Sequence, residues 1–217
     1  PRKLGSTGLG IVVPKGVYCA IVGENNEGER KNIIIENKIV EDPVVLRAIE
    51  ILGYGNKGLS VYLRRDLPVG AGFGISGASA LAACLELDKN LKNCTVAAHQ
   101  AEVEYKTGLG DVVAISSAID KGDFPLVVER IAPGANGETV THAVDSKFVV
   151  CVSGLGRNTS EIITNPAWSE IINTVSSSLN CSDYDIRSVI KAGRIFTEKS
   201  GLINENLGEI LDEVPLG

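Results

Sequence analysis

The sequence predicts an α+β fold in which strands and helical hairpins are mixed without a regular βαβ repeat. Three observations carry that expectation. β-Branched runs crowd the first third of the chain, apolar residues at helical spacing follow a glycine-rich segment, and strand signals return after residue 123 before a mostly helical tail.

In order along the chain, Gly10-Ile-Val-Val13, Val17-Tyr-Cys-Ala-Ile-Val22 and Asn32-Ile-Ile-Ile-Glu36 read as strands. Gly23-Glu-Asn-Asn-Glu-Gly28 supplies turn chemistry between the last two, which predicts a hairpin. Asp42-Pro43 sets an N-cap before a proline at the first helical position, and Val45, Ile49 and Leu52 continue a helix until Gly53. Leu59 to Leu63 reads as a strand leading into the glycines. Ala80, Cys84, Leu87 and Leu91 then share one helical face, predicting a helix from about Ser76 to Leu91. A second helix is expected from near Thr95, carrying His99, Glu102 and Glu104 and breaking at Thr107-Gly-Leu-Gly110. Phe124 to Ile131, Val140 to Ala143 and Phe148 to Val152 read as strands, and the chain from Ser169 onward as mostly helical.

Composition narrows the functional classes. A chain of 217 residues buries a substantial core. Its five cysteines form no C-x-x-C pair and two sit in apolar or alanine-rich runs, which predicts reduced thiols, a cytoplasmic setting and neither a disulfide framework nor a zinc site. The three glycosylation sequons, at Asn93, Asn158 and Asn180, are read as chance matches. Net charge is −6 with dispersed basic residues, so no nucleic-acid partner is expected. No apolar run approaches the roughly 20 residues of a membrane span, so no membrane association is expected. The chain starts at Pro1 and has no methionine, from which we expect segments missing from the sequence.

Pro68-Val-Gly-Ala-Gly-Phe-Gly-Ile-Ser-Gly-Ala-Ser-Ala80 packs its glycines between a charged segment and a helix. A Walker loop requires Gly-Lys-Ser/Thr, and no lysine occurs between Asp66 and Leu87. Gly72-x-Gly74-x-x-Gly77 matches the dinucleotide fingerprint, yet Arg64-Arg-Asp-Leu-Pro68 separates it from the strand, and Cys94 to Gln100 offers no carboxylate for a ribose. An oxidoreductase reading rests on those glycines alone. Two readings stay open on the residues themselves: a loop whose backbone N–H groups cradle phosphates at a helix mouth, or a tight strand-to-helix connection.

Pro68-x-x-x-Gly72-Phe73-Gly74-x-Ser76-Gly-Ala resembles the phosphate loop of the GHMP kinase superfamily, Pro-x-x-x-Gly-Leu-Gly-Ser-Ser-Ala, with Ile75 in place of the first serine. Gly5-Ser-Thr-Gly-Leu-Gly10, and Ala98-His-Gln-Ala-Glu-Val-Glu104 followed by Thr107-Gly-Leu-Gly-Asp-Val-Val113, make the chain most similar to the archaeal pantoate kinases. A Pro-Gly-His-type opening segment and a C-terminal glycine loop of that family are not present.

The resemblance implies a two-lobed GHMP kinase-like fold, with an N-terminal lobe over 1–125 and a C-terminal lobe over 126–217. It implies ATP and Mg²⁺ as cofactors, pantoate as the small-molecule substrate, and a homodimer. The sister kinases of shikimate, homoserine and mevalonate are the alternatives within the superfamily. The nucleotide would lie on Pro68, Gly70, Ala71, Gly72, Phe73, Gly74, Ser76, Gly77 and Ala78. Ser76 and Glu102 would hold the metal, since Mg²⁺ takes few hard oxygen ligands from protein and keeps several waters. Glu104 is the competing carboxylate. Asp111 would sit beside the acceptor hydroxyl as base or orienting group, its other reading being a helix cap. Catalysis would therefore rest on Asp111, Ser76 and Glu102. Ser6, His99, Arg130 and Thr159 are the implied substrate contacts, Arg130 because a guanidinium fork matches a carboxylate.

Overall fold

The structure, a computed structural model, describes residues 3–23, 31–144, 159–179, 181, 183–203 and 208–209. Among these lie seven strands and seven helices: β1 (Gly8–Val12), β2 (Val17–Gly23), β3 (Lys31–Ile35), β4 (Lys38–Val40), α1 (Pro43–Ile49), β5 (Leu59–Arg65), α2 (Ile75–Leu87), α3 (Leu91–Tyr105), α4 (Asp111–Lys121), β6 (Leu126–Arg130), β7 (Thr139–Ala143), α5 (Thr159–Thr164), α6 (Pro166–Ser178) and α7 (Ile186–Lys199). One sheet has the order β1-β6-β7, the other β2-β5-β3-β4. The strand expected at Phe148 to Val152 lies outside the described residues.

The expected hairpin of the second and third strands does not form. β5 lies between them, antiparallel to β2 and parallel to β3. Its row Leu59, Val61 and Leu63 is buried, and a strand with so apolar a face gains most where neighbours cover both its edges. The real hairpin is β3–β4, turned by Glu36 and Asn37, both at positive φ (50° and 61°). That is the primed two-residue turn whose twist suits flanking strands.

Asp42 caps α1 as expected, its carboxylate accepting from the Val45 N–H at 3.1 Å behind Pro43. Gly53 breaks the helical backbone as expected, though helical hydrogen bonding continues past it. α1 runs on through a π-helical turn, Glu50–Tyr54, in which Gly53 adopts φ 99°. The helix predicted to reach Leu91 ends at Leu87, and the next begins at Leu91 rather than near Thr95. Asp88 breaks the run by accepting from the Asn90 N–H (2.9 Å) and the Asn93 side-chain amide (3.0 Å), while Asn90 caps α3 through the Asn93 N–H (3.1 Å). Short polar side chains compete with the helical ladder in this way.

Three apolar clusters hold the elements in place. Val44, Ala80, Leu81, Cys84, Cys94, Ala97 and Ala101 pack α1, α2 and α3 together, small residues permitting close approach. Ile33, Val45, Ile49, Val61 and Leu63 seat α1 and α2 on the four-stranded sheet. Val12, Ala114, Ala118, Leu126 and Val128 seat α4 on the three-stranded sheet. Because β6 pairs with β1, residues on both sides of position 125 share a sheet. Cys84 is a buried free thiol, as its alanine-rich run suggested, and Cys94 is buried too, between Asn93 and Thr95. No helix among the described residues is long and apolar enough to cross a membrane.

Candidate active site

Two helices, one seated on each sheet, begin at the same place. The segment 66–74 leaves the end of β5 and enters α2 through Gly70, Gly72 and Gly74, all at positive φ (81°, 80° and 64°), a backbone that side chains oppose. Gly74 is the N-cap of α2, so the first N–H groups of the helix open at the end of this loop. α4 begins at Asp111, and the two starts touch: a Cβ placed on Gly74 would lie 3.0 Å from the Asp111 Cβ and 3.2 Å from its carboxyl carbon. The absence of a side chain at Gly74 therefore sets how close Asp111 comes to the helix mouth.

Glu102 comes in from α3. It is 1% exposed, and its carboxylate lies between two glycines, 2.6 Å from where a Cβ of Gly77 would stand and 2.5 Å from where one of Gly108 would stand. The Ser76 hydroxyl donates to it, and the Thr107 hydroxyl donates to Oε1 at 3.3 Å. Oε2 is buried with no hydrogen-bond partner among the described residues. Burial, and then the charge of Asp111, push the Glu102 carboxyl up to about 8, against the pull of the Ser76 and Thr107 hydrogen bonds.

Asp111 opens to the cleft on one side and is hemmed in by protein on the others. That crowding raises its carboxyl, while the Arg130 charge pulls the other way. Arg130, at the end of β6, lies along two glycines of β1, its terminal nitrogens 3.8 and 3.6 Å from where side chains of Gly8 and Gly10 would start. Its guanidinium donates to the Ser6 backbone carbonyl and to the Ser6 hydroxyl, both at 3.3 Å. Ser6 is fixed in turn by its N–H to the Leu109 carbonyl at 2.9 Å. His99 is buried, and its Nε2 donates to the Leu4 carbonyl at 2.7 Å, tying down the strand-leading segment that carries Ser6. Burial holds its imidazole below the usual range.

A cavity of about 780 Å³ runs along this meeting point, lined by Gly72, Phe73, Gly74, Asp111 and Arg130 and walled by apolar residues of β1, α2 and α4. The structure thus brings together Ser6, Gly70 to Gly77, Glu102, Asp111 and Arg130, with His99 one contact behind. It does not bring in Thr159. That residue is exposed at the start of α5, a helix packed on α6, and no hydrogen bond among the described residues joins it to the cluster. Glu104, the competing carboxylate, instead pairs with Arg47 at 2.6 Å on the outside of α3. Sequence reasoning missed Thr107 and Gly108; a hydroxyl five residues beyond Glu102, where the helix ends, was the available signal.

Comparison with known proteins accords with this geometry. Residues 38–118 match the family model of the GHMP kinases N terminal domain, the span from β4 to α4. Pantoate kinase of Methanocaldococcus jannaschii is 30% identical over 98% of this chain and 77% of its own, and pantoate kinase of Methanospirillum hungatei 27% identical over 97% and 72%. A solved structure described as a phosphotransferase related to the CoA biosynthesis pathway superposes with TM-score 0.64 at 24% identity, over 98% of this chain and 72% of that one. A mevalonate kinase crystal structure gives 0.50 at 11% identity, over 96% and 83%. With a relative 30% identical along nearly its whole length, and the GHMP kinase domain within it, the chain belongs to the pantoate kinase family of GHMP kinases.

Proposed function

We propose that this protein phosphorylates the 4-hydroxyl of (R)-pantoate with ATP, giving 4-phosphopantoate, a step toward coenzyme A. The observation that carries the reading is the contact of Asp111 with Gly74: a carboxylate for an acceptor hydroxyl lies against the backbone that would hold the triphosphate.

Each residue has a task in this reading. Gly70, Gly72 and Gly74 let backbone N–H groups of the loop and of the α2 mouth approach phosphate oxygens, with the helix dipole favouring their charge. Arg130 forks onto the pantoate carboxylate, and Ser6 orients it. Asp111 accepts a hydrogen bond from the 4-hydroxyl. As the oxygen attacks the γ-phosphorus and the bond to the bridging β,γ-oxygen breaks, the hydroxyl proton passes to Asp111, whose raised carboxyl is a better base than an ordinary one. His99 holds the Leu4 to Ser6 segment in place.

The residues fit a magnesium ion. Glu102 has one unpartnered, buried carboxylate oxygen, the Ser76 hydroxyl interacts with the same carboxyl group, and one carboxylate with one hydroxyl is a sufficient protein share for Mg²⁺ when phosphates and water complete the shell. Ser76 and Glu102 would hold it. When bound, the ion supplies charge neutralisation on the phosphates.

The test is ADP release by the purified protein with pantoate, shikimate, homoserine and mevalonate in parallel. Turnover with pantoate at least about tenfold above the others is expected, a discrimination within what a carboxylate fork and pocket shape supply. Equal and negligible turnover with all four would overturn the reading.

A further inference from the structure

On β5 the residues facing the helices are Leu59, Val61 and Leu63, all buried, and the next in that row is Arg65. A guanidinium in an apolar row requires partners, and Arg65 has two. Its Nε donates to the Ser79 hydroxyl at 2.9 Å, and a terminal nitrogen donates to Asp42 in a close ion pair whose side chains are 17% and 13% exposed. Both partners are also tied to the start of a helix. The Ser79 hydroxyl donates a hydrogen bond to the Ile75 carbonyl at 2.7 Å, and the other oxygen of Asp42 caps α1.

Arg65 and Ile75 are the two ends of the glycine segment. Residues 66–74 between them include five that are exposed to solvent and three glycines at positive φ. The run Arg65 to Ser79 to Ile75 therefore joins the root where the segment leaves the sheet to the root where it enters α2, and Asp42 anchors that join to a third element, α1. A flexible loop that must adopt one shape to receive a ligand loses affinity to the cost of ordering it, and fixing its roots lowers that cost.

We propose that Arg65 is a positioning residue that clips the two roots of the glycine segment together and so keeps it in the form that receives nucleotide phosphates. This deepens the proposed kinase reading and rests on it. Arg65 lines no part of the cavity, so it acts through the loop alone.

The experiment compares the full chain with Arg65→Met, Arg65→Lys and Ser79→Ala, measuring calorimetric Kd for a non-hydrolysable ATP analogue and, separately, for pantoate, with steady-state KM and kcat. For Arg65→Met, nucleotide Kd and KM should rise about tenfold, as for loss of a charge-assisted hydrogen bond, while pantoate Kd stays within about twofold and kcat at saturating ATP within about threefold. Arg65→Lys, which reaches Asp42 or Ser79 but not both, should fall between. Ser79→Ala keeps the Asp42 ion pair, and should weaken nucleotide binding about threefold if Arg65→Met does not fold. Unchanged nucleotide Kd in Arg65→Met, or in Ser79→Ala where only that variant folds, overturns the clip, as does equal loss for nucleotide and pantoate. If the unsubstituted protein binds no nucleotide, the kinase reading falls instead.

Discussion

Replacing Glu102 by Gln should make the metal-free protein more stable, and the gain should depend on pH in a defined direction. The Glu102 carboxyl is raised from its ordinary 4.5 to about 8, chiefly by burial. Below about 4.5 it is protonated in both folded and unfolded chains and costs nothing. Between about 4.5 and 8 the folded chain holds a proton that the unfolded chain releases, so raising the pH favours unfolding. Above about 8 the folded chain carries a buried charge with no cation to pair it and one oxygen without a hydrogen bond, and the penalty is complete. At about 1.4 kcal/mol for each pKa unit, the full penalty is on the order of 5 kcal/mol. Gln keeps the shape and removes the charge. Unfolding by denaturant in EDTA at pH 5, 7 and 9 should show the advantage of Glu102→Gln growing across that range and levelling off near pH 9. For a chain of this length it amounts to roughly 10 °C or more in Tm. Added Mg²⁺ should narrow the gap by stabilising only the unsubstituted protein. A gap independent of pH, or a variant less stable at pH 9, would show that Glu102 is not a destabilising buried carboxylate.

Three further outcomes follow from the same geometry. Asp111→Asn should lower kcat about 10²- to 10⁴-fold while leaving nucleotide Kd within about threefold, by calorimetry and turnover assays; near-normal turnover refutes its role. Gly77→Ala would set a methyl 2.6 Å from Glu102 Oε2 and 2.8 Å from Val112, so turnover should fall about 100-fold or more. Circular dichroism should show it still folded, because the overpacking cost of about 1–3 kcal/mol is offset in part by the better helix propensity of alanine. Arg130→Lys replaces a fork by a point charge and should raise pantoate KM about tenfold or more with ATP KM little changed; equal effects on both substrates would count against it.

The mixed architecture, the cap at Asp42 and the glycine segment were legible because each is written locally, in spacing or in a residue type with one strong conformational preference. The order of the four-stranded sheet was not. Gly23 to Gly28 looks like a hairpin turn, and nothing local to Val17–Val22 or Asn32–Glu36 says that a later strand will separate them; the apolar row of β5 decides that. The break at Asp88 was hidden because Leu87 and Leu91 fit one helical face across it, whereas the side-chain hydrogen bonds of Asp88 and Asn90 outweigh that periodicity. Ser76, Glu102 and Asp111 stood in recognisable motifs. The settings of Gly77, Gly108 and Thr107 did not, since each matters only through where the Glu102 carboxylate comes to rest.

Glu102 and Asp111 hang from one helical hairpin, α3 and α4, joined by the short turn at Lys106 to Gly110. On the proposed reading, the gap between the cation ligand Glu102 and the proton acceptor Asp111 is then a matter of chain length in that turn. An inserted residue there would put the two chemical functions out of step even with every side chain retained, which makes this turn the least forgiving place for grafting or shuffling between relatives.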